Sequence, residues 1–313
     1  MNNIIDLIHR YNNIAIISHV APDGDTVGAS VALKIALDSL GKNADLFCDD
    51  PIPATYGFMT KHGSHSASLP DMPYHLAIAV DCADRKRMGR CSEILDRAAD
   101  NANIDHHYSN IGYADYNYID PNASSASEIM VDFIQKLGVE ISQEIATCLY
   151  AGIAYDTGNF AYSNTGFGAL SKAAFLLKRG VNVVEVVNQL FKSRTIANMR
   201  MLKICIDNAR FYPSMVVTSL SLEEMGRYGA QPSDCDSIVD FMRDLEGVEI
   251  AAFVREMQAG RYKISLRSKY YADVAAVAGT FGGGGHIMAS GCVAFGSLEQ
   301  VLEELLPRLE AAL

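Results

Sequence analysis

Asp105-His106-His107 is the densest group of metal-capable and proton-carrying side chains in the sequence. Such a run continues a strand poorly and opens a core helix poorly. It presents ligands and a proton donor side by side well. Three other groups share its character: His19-Val20-Ala21-Pro22-Asp23-Gly24-Asp25, Asp81 behind the apolar run Leu76 to Val80, and Asp156 in Tyr155-Asp156-Thr157-Gly158. The candidate ligands are therefore His19, Asp23, Asp25, Asp81, His106 and Asp156. Carboxylates with a minority of imidazoles suit Mn²⁺ or Mg²⁺, whereas zinc would call for thiolates. So many carboxylates exceed the needs of one ion. They suit two ions about 3.5–4 Å apart that share a carboxylate and activate water. Each aspartate alone fits an ordinary turn or cap; their joint occurrence at element ends argues for the metal reading.

The elements that must position these residues follow from the pattern of apolar runs. Ile14 to Ser18, Leu76 to Val80 and the run into Asp105 read as buried strands, each ending in His or Asp. Helices are expected over 2–11, from Asp25 or Thr26 (as cap) to about Leu40, from Ser125 to about Leu137, and from Gln143 into Asp156. Strand–helix alternation implies a mostly parallel sheet flanked by helices, with ligands bound beyond the carboxyl ends of the strands. All the acidic and imidazole groups fall there. Ser125-Ala126-Ser127-Glu128 fits a capping box better than a substrate contact. Asp156 ends a helix, where the dipole disfavours an anion and a bound cation would remove the penalty. His9, His62, His65 and His75 have no comparable setting and read as surface or loop residues.

Composition bounds the function. The chain has 313 residues, 49% of them hydrophobic, a net charge of -11 and seven scattered cysteines. Length and hydrophobicity suit two domains. The acidic balance argues against a broad basic surface for long nucleic acid, but leaves room for a short anionic substrate held by metals. The cysteines form no Cys-x-x-Cys pair and read as reduced thiols of a cytoplasmic protein, Cys82 among them as a buried spectator. No apolar run reaches the roughly 18 residues of a spanning helix, and no secretory leader is evident.

The pattern changes after a helix over about 194–208, a plausible connector. Strands are expected at 215–220, 248–255 and 262–266, and helices at 235–245, 271–280 and 297–312. This second, smaller α/β unit carries Phe281-Gly282-Gly283-Gly284-Gly285-His286. Successive glycines cost backbone entropy. They suit either a flexible turn or amides that approach a phosphate closely. His286 behind them and Arg267-Ser268 before them favour the phosphate.

His19-x-x-Pro22-Asp23-Gly24-Asp25, Val80-Asp81, Asp105-His106-His107 and Asp156-Thr157-Gly158 resemble the four motifs of the DHH phosphoesterase superfamily. Arg267-Ser268 and the glycine run with His286 resemble its associated C-terminal domain. Within the superfamily the chain is most similar to the stand-alone bacterial nanoRNase/pAp-phosphatase group. The resemblance implies a DHH domain over 1–190, a helical linker over 191–212, a substrate-binding domain over 213–313, and an active-site cleft between the two domains.

It also implies roles. His19, Asp23 and Asp81 would hold one metal; Asp25, Asp81, His106 and Asp156 would hold the other, with Asp81 shared. Asp105 would orient a histidine. His107 would contact the scissile phosphate and help the leaving oxygen. Arg267, Ser268, the amides of Gly283, Gly284 and Gly285, and His286 would bind substrate. The expected activity is Mn²⁺-dependent hydrolysis of short oligonucleotides or 3′-phosphoadenosine 5′-phosphate, with Mg²⁺ as a substitute. No long nucleic acid and no membrane is expected as a partner, and a homodimer is admitted. Two alternatives stand beside this: a pyrophosphatase or exopolyphosphatase of the same superfamily, and a non-catalytic nucleotide sensor. The glycine run and Arg267 count against the first, the complete ligand set against the second. A processive exonuclease is disfavoured by the short, acidic chain.

Overall fold

The computed structural model describes residues 1–192 and 194–313, and the chain divides into two compact units, 1–193 and 194–313. In the first, strands β1 (Asn13–Ile17), β2 (Asn43–Phe47), β3 (His65–Ser66), β4 (Leu76–Val80), β5 (Asp100–Asp105) and β6 (Tyr116–Ile119) lie in the order β3-β2-β1-β4-β5-β6. Every pairing is parallel. The chain builds outward from β1 to β2 and β3, then returns to build from β4 to β6. The reversal falls between β1 and β4, the crevice where such sheets bind ligands.

The helices of this unit are α1 (Asn2–Arg10), α2 (Gly24–Ser39), α3 (Gly57–Thr60), α4 (Ser92–Arg97), α5 (Ala126–Lys136), α6 (Gln143–Asp156), α7 (Phe167–Leu177) and α8 (Val183–Val187). β1 and β4 are apolar on both faces because helices cover both, so Ile14, Ile16, Leu76 and Ile78 are fully buried. β2 and β6 escape a sequence reading. Asn43-Ala44-Asp45-Leu46-Phe47 alternates rather than running apolar, and Tyr116 to Ile119 is only half-buried at the sheet edge.

Three local expectations need correction. The N-cap of α2 is Asp23, not Asp25 or Thr26, because its Oδ1 accepts the N–H groups of both. Ser125 caps α5, but the Glu128 carboxylate turns to the Ser124 N–H (2.9 Å) and hydroxyl (2.7 Å), so no reciprocal capping box closes. His65 is no surface residue. It stands in β3 with Nε2 3.2 Å from Ser18 Oγ and 3.1 Å from Ser30 Oγ, and its Nδ1 is buried without a partner. Burial lowers its pKa to about 4.

The second unit contains α9 (Ile196–Asp207), β7 (Arg210–Tyr212), β8 (Met215–Leu220), α10 (Leu222–Arg227), α11 (Ile238–Arg243), β9 (Ile250–Gln258), β10 (Arg261–Ser268), α12 (Val274–Gly279), β11 (Gly284–His286), β12 (Ala289–Phe295) and α13 (Leu298–Glu310). The sheet order is β11-β12-β10-β9-β8-β7, antiparallel except for β8 with β9. The helix expected as a connector, α9, buries Met201, Leu202 and Cys205 in this unit's core. The expected helix over 271–280 starts later, because the Glu249 carboxylate draws in the N–H groups of Tyr270, Tyr271 and Ala272 (2.8–3.1 Å). All seven cysteines are free and buried. No helix among the described residues is long and apolar enough to cross a membrane.

Candidate metal centre

β1 and β4 run side by side, so the residues just past their ends, His19 and Asp81, face each other. His19 Nε2 lies 3.5 Å from Asp81 Oδ2 and 3.5 Å from Asp23 Oδ2. Next along the sheet, β5 ends at Asp105 and delivers His106, whose Nε2 is 3.4 Å from Asp81 Oδ1 and 3.3 Å from Asp156 Oδ2. Asp156 arrives from the carboxyl end of α6, and Asp25 from the first turn of α2. Ligand atoms of His19, Asp23 and Asp81 lie within 4.8 Å of one another, as do those of Asp25, His106 and Asp156. A third such group is Asp81, His106 and His107. All the sequence-derived metal candidates are thus brought together at the sheet reversal.

The electrostatics of this cluster call for a cation. Burial and then the Asp25 and Asp23 charges raise the Asp156 carboxyl well above its usual range. Burial and Asp81 raise that of Asp25 to about 7. For Asp81, burial pushes up, but His106 and His19 win and hold it well below the ordinary range. Burial also works against the charge on His19, yet Asp23 and Asp81 bring its pKa to about 10. Protons therefore stand where a divalent ion would sit, and binding an ion would displace them. Asp81 Oδ1 is buried with no hydrogen-bond partner, an orphaned acceptor of the kind a metal satisfies. Asp81 also holds φ +60°, a left-handed conformation costly for a side-chain-bearing residue and frequent at functional sites. An oxygen-rich set with two imidazoles fits a hard or borderline divalent ion.

The surrounding bonds fix the ligands. His19 Nδ1 lies 2.8 Å from the Val20 carbonyl, and Nε2 is the nitrogen that faces Asp23 and Asp81. Asp25 accepts the N–H groups of Ala126 (2.6 Å) and Ser127 (2.9 Å) at the amino end of α5, where the dipole favours an anion. His107 Nδ1 lies 2.8 Å from Asp105 Oδ1, and Asp105 Oδ2 accepts from Asn110 Nδ2 at 2.6 Å. Asn110 Nδ2 also reaches Asn103 Oδ1 and the Cys82 carbonyl, to which Tyr113 donates.

Gly152, one turn before Asp156, decides how closely these elements approach. A Cβ there would run into Ser127 Oγ and stand 2.7 Å from Asp25 Oδ1.

Arg87, Asn110 and Gly152 escaped the sequence reading. Arg87 stands in a short basic run, Arg85-Lys86-Arg87, that has the look of a solvated loop, yet its Nη2 lies 3.0 Å from His19 Nδ1, while Arg85 pairs with Asp96. No local pattern marks these residues, since each acts through a neighbour far away in sequence.

The remaining candidates lie in the second unit. Arg267 pairs with Asp240 (Nε to Oδ1, 3.1 Å) and shares a face of β10 with Ala289 of β12 and His286 of β11. Ser268 points the other way, 3% exposed, with a buried hydroxyl that has no partner. The glycine run is partly required by the sheet: a Cβ on Gly283 would run into the Gly291 carbonyl, and one on Gly285 into that of Ala289. Gly284 has open space around it.

Residues 13–153 match the DHH family, N-terminal domain, and residues 213–313 match the DHHA1 domain. The chain is 33% identical over 94% of its length to the bifunctional oligoribonuclease and PAP phosphatase NrnA of Thermus thermophilus, covering 88% of that protein. The protein of the same name from Mycoplasma pneumoniae is 27% identical over 92% of the chain and 90% of its own length. Among solved structures, an exopolyphosphatase-related protein from Bacteroides fragilis superposes with a TM-score of 0.93 at 26% identity, over 99% of this chain and 95% of that one.

Proposed function

This chain belongs to the DHH family and carries a DHHA1 domain, and from that membership we propose that it is a metal-dependent phosphoesterase. Its substrates are short oligonucleotides, linear dinucleotides among them, cut to 5′-mononucleotides, and 3′-phosphoadenosine 5′-phosphate, cut to AMP. The names of its relatives carry both activities. The observation that carries the reading is Asp81: one buried carboxylate, in a strained backbone, facing His19 with one oxygen and His106 with the other.

His19, Asp23 and Asp81 would hold one ion, and Asp25, Asp81, His106 and Asp156 the other. Mn²⁺ is the preferred ion and Mg²⁺ a substitute. When bound, the ions supply Lewis acidity at phosphorus and water. His107 does the rest of the work near the reacting atoms. The Asp105 carboxylate accepts a hydrogen bond from Nδ1–H and fixes the ring, and Asn110 fixes Asp105, so that Nε2 addresses the leaving oxygen. Arg267, the Gly284 amide and His286 bind a substrate phosphate with charge-assisted bonds.

The test is a substrate panel with Mn²⁺: dinucleotides, oligomers of increasing length, 3′-phosphoadenosine 5′-phosphate, pyrophosphate and polyphosphate. A net charge of -11 gives a long polyanion no attraction. Initial rates should be highest for roughly two to five nucleotides and fall beyond, since the described cationic groups are local. Rates that hold or rise to long strands overturn the short-substrate reading. Hydrolysis of pyrophosphate or polyphosphate alone replaces it with a phosphoanhydride hydrolase.

A further inference from the structure

The sheet of the second unit carries cations that this chemistry does not use. Ile264 and Leu266 point into the core formed with α12 and α13, so the alternate residues Lys263, Ser265 and Arg267 point to the opposite face. Register aligns them with β9: Arg255 stands opposite Lys263, Phe253 opposite Ser265 and Ala251 opposite Arg267. On the other side Val293, Gly291 and Ala289 of β12 stand opposite the same three residues. Gly284 and His286 of β11 extend the last two rows. Three rows thus cross the face. Phe253 at one end of the middle row is buried in the core beneath α9 and α11, and the rest of that row, Ser265-Gly291-Gly284, carries one small side chain. One flanking row holds Arg267 and His286, the other Arg255 and Lys263.

The second flanking row is electrostatically incomplete. Arg255 is only 8% exposed, yet among the described residues neither it nor Lys263 makes a side-chain hydrogen bond or ion pair. Like charges directly opposite one another on paired strands destabilise a sheet. None of the Arg255 side-chain nitrogens is fully buried, so the guanidinium keeps solvent contact and the unmet demand is the repulsion between the two facing cations. Arg255, Lys263 and Arg267 all place positive charge within electrostatic range of Asp236, which bonds to none of them. An anion between Arg255 and Lys263 would relieve that repulsion.

We propose that Arg255 and Lys263 form a second phosphate-binding subsite. The face then takes a nucleotide whose nucleoside is flanked by phosphates on both its 5′ and 3′ sides. One phosphate lies on the Arg267–His286 row, the other on the Arg255–Lys263 row, and the nucleoside lies over the bare middle row. The outer rows are roughly 13 Å apart along β10, four residues at about 3.3 Å each. Long cationic side chains leaning inward from both rows shorten that span. This reading deepens the proposed function and rests on it: 5′-phosphorylated dinucleotides and nucleoside 3′,5′-bisphosphates share this two-phosphate chemistry.

The experiment has two arms on the full chain. In the first, KM is measured with Mn²⁺ for one dinucleotide with and without a 5′-phosphate, in the wild type, Arg255→Gln and Lys263→Gln. The wild type should prefer the phosphorylated form about tenfold, the factor one charge-assisted bond represents. In both variants the preference should fall toward one. In the second, calorimetry compares adenosine 3′,5′-bisphosphate with 5′-AMP on metal-free protein. The bisphosphate should bind about tenfold more tightly, and Lys263→Gln should remove the difference. Lys263 is exposed, so this variant keeps the test valid if Arg255→Gln fails to fold. Turnover with an unchanged preference in Lys263→Gln, or an equal loss on both dinucleotides, overturns the subsite alone. No turnover, but a calorimetric preference that Lys263→Gln abolishes, overturns the proposed activity and supports the subsite. No turnover and no preference overturns both.

Discussion

Ligand atoms of Asp81, His106 and His107 lie within 4.8 Å of one another, yet their surroundings give them different work. Asp81 belongs to two ligand groups, so Asp81→Asn should remove most bound metal and reduce turnover by three or more orders of magnitude. His106→Ala should lower metal content. His107→Ala should lower turnover more than metal content, because its Nδ1 is already engaged with the Asp105 carboxylate. Elemental analysis beside initial rates separates the three. Equal metal loss in both histidine variants would reject the division of labour. His19, Asp81 and His106 were readable from sequence because each follows a strand-like run, Asp23, Asp25 and Asp156 because they stand at helix ends. His65 was not readable, since its burial depends on Ser18 and Ser30, which lie far from it in the chain. It has a thermodynamic signature. Its folded pKa of about 4 lies below the unfolded value of about 6.5, so the folded state binds fewer protons and loses stability as pH falls through that window. Urea unfolding should show about 2 kcal/mol of stability lost to His65 between pH 7 and pH 5. His65→Gln should remove that part of the pH dependence.

At the scale of elements, the centre is where α2, α5 and α6 converge. Asp25 on α2 takes the N-terminal amides of α5, and Gly152 lets α6 close on both. Gly→Ala inside a helix normally stabilises by about 1 kcal/mol. At Gly152 the added carbon meets Ser127 and Asp25, and overpacking of this kind costs about 1–3 kcal/mol. The clash should win. Gly152→Ala should lower Tm and also weaken metal binding, because the added carbon crowds Ser127 first and Asp25 beside it. A variant that is more stable and binds metal normally would show that the helices have room to separate. The parallel sheet was legible from the alternation of apolar runs and helical stretches. β2, β3 and β6 were not, for edge and near-edge strands bury less and carry a weaker pattern. The glycine run concealed β11 and β12 for a different reason: Gly283 and Gly285 are demanded by the backbone of the partner strand, and a backbone demand leaves no periodicity in sequence.

For the molecule as a whole, the buried carboxylates of Asp25, Asp81 and Asp156 have a consequence beyond the reaction. They converge from three separate stretches of the first unit, and without a cation their charges oppose one another. The unfolded chain keeps them apart and has no assembled site. A divalent ion therefore binds the folded state almost exclusively, and its binding free energy adds to the free energy of folding as RT ln(1 + [M]/Kd). Protein loaded at a hundredfold excess over Kd should gain about 2.7 kcal/mol, and its Tm should climb with the logarithm of free Mn²⁺. A melting temperature that ignores the ion across that range would separate the carboxylate cluster from metal binding altogether. If it climbs as expected, the supply of Mn²⁺ sets how long the folded first unit survives, whether or not any substrate is present.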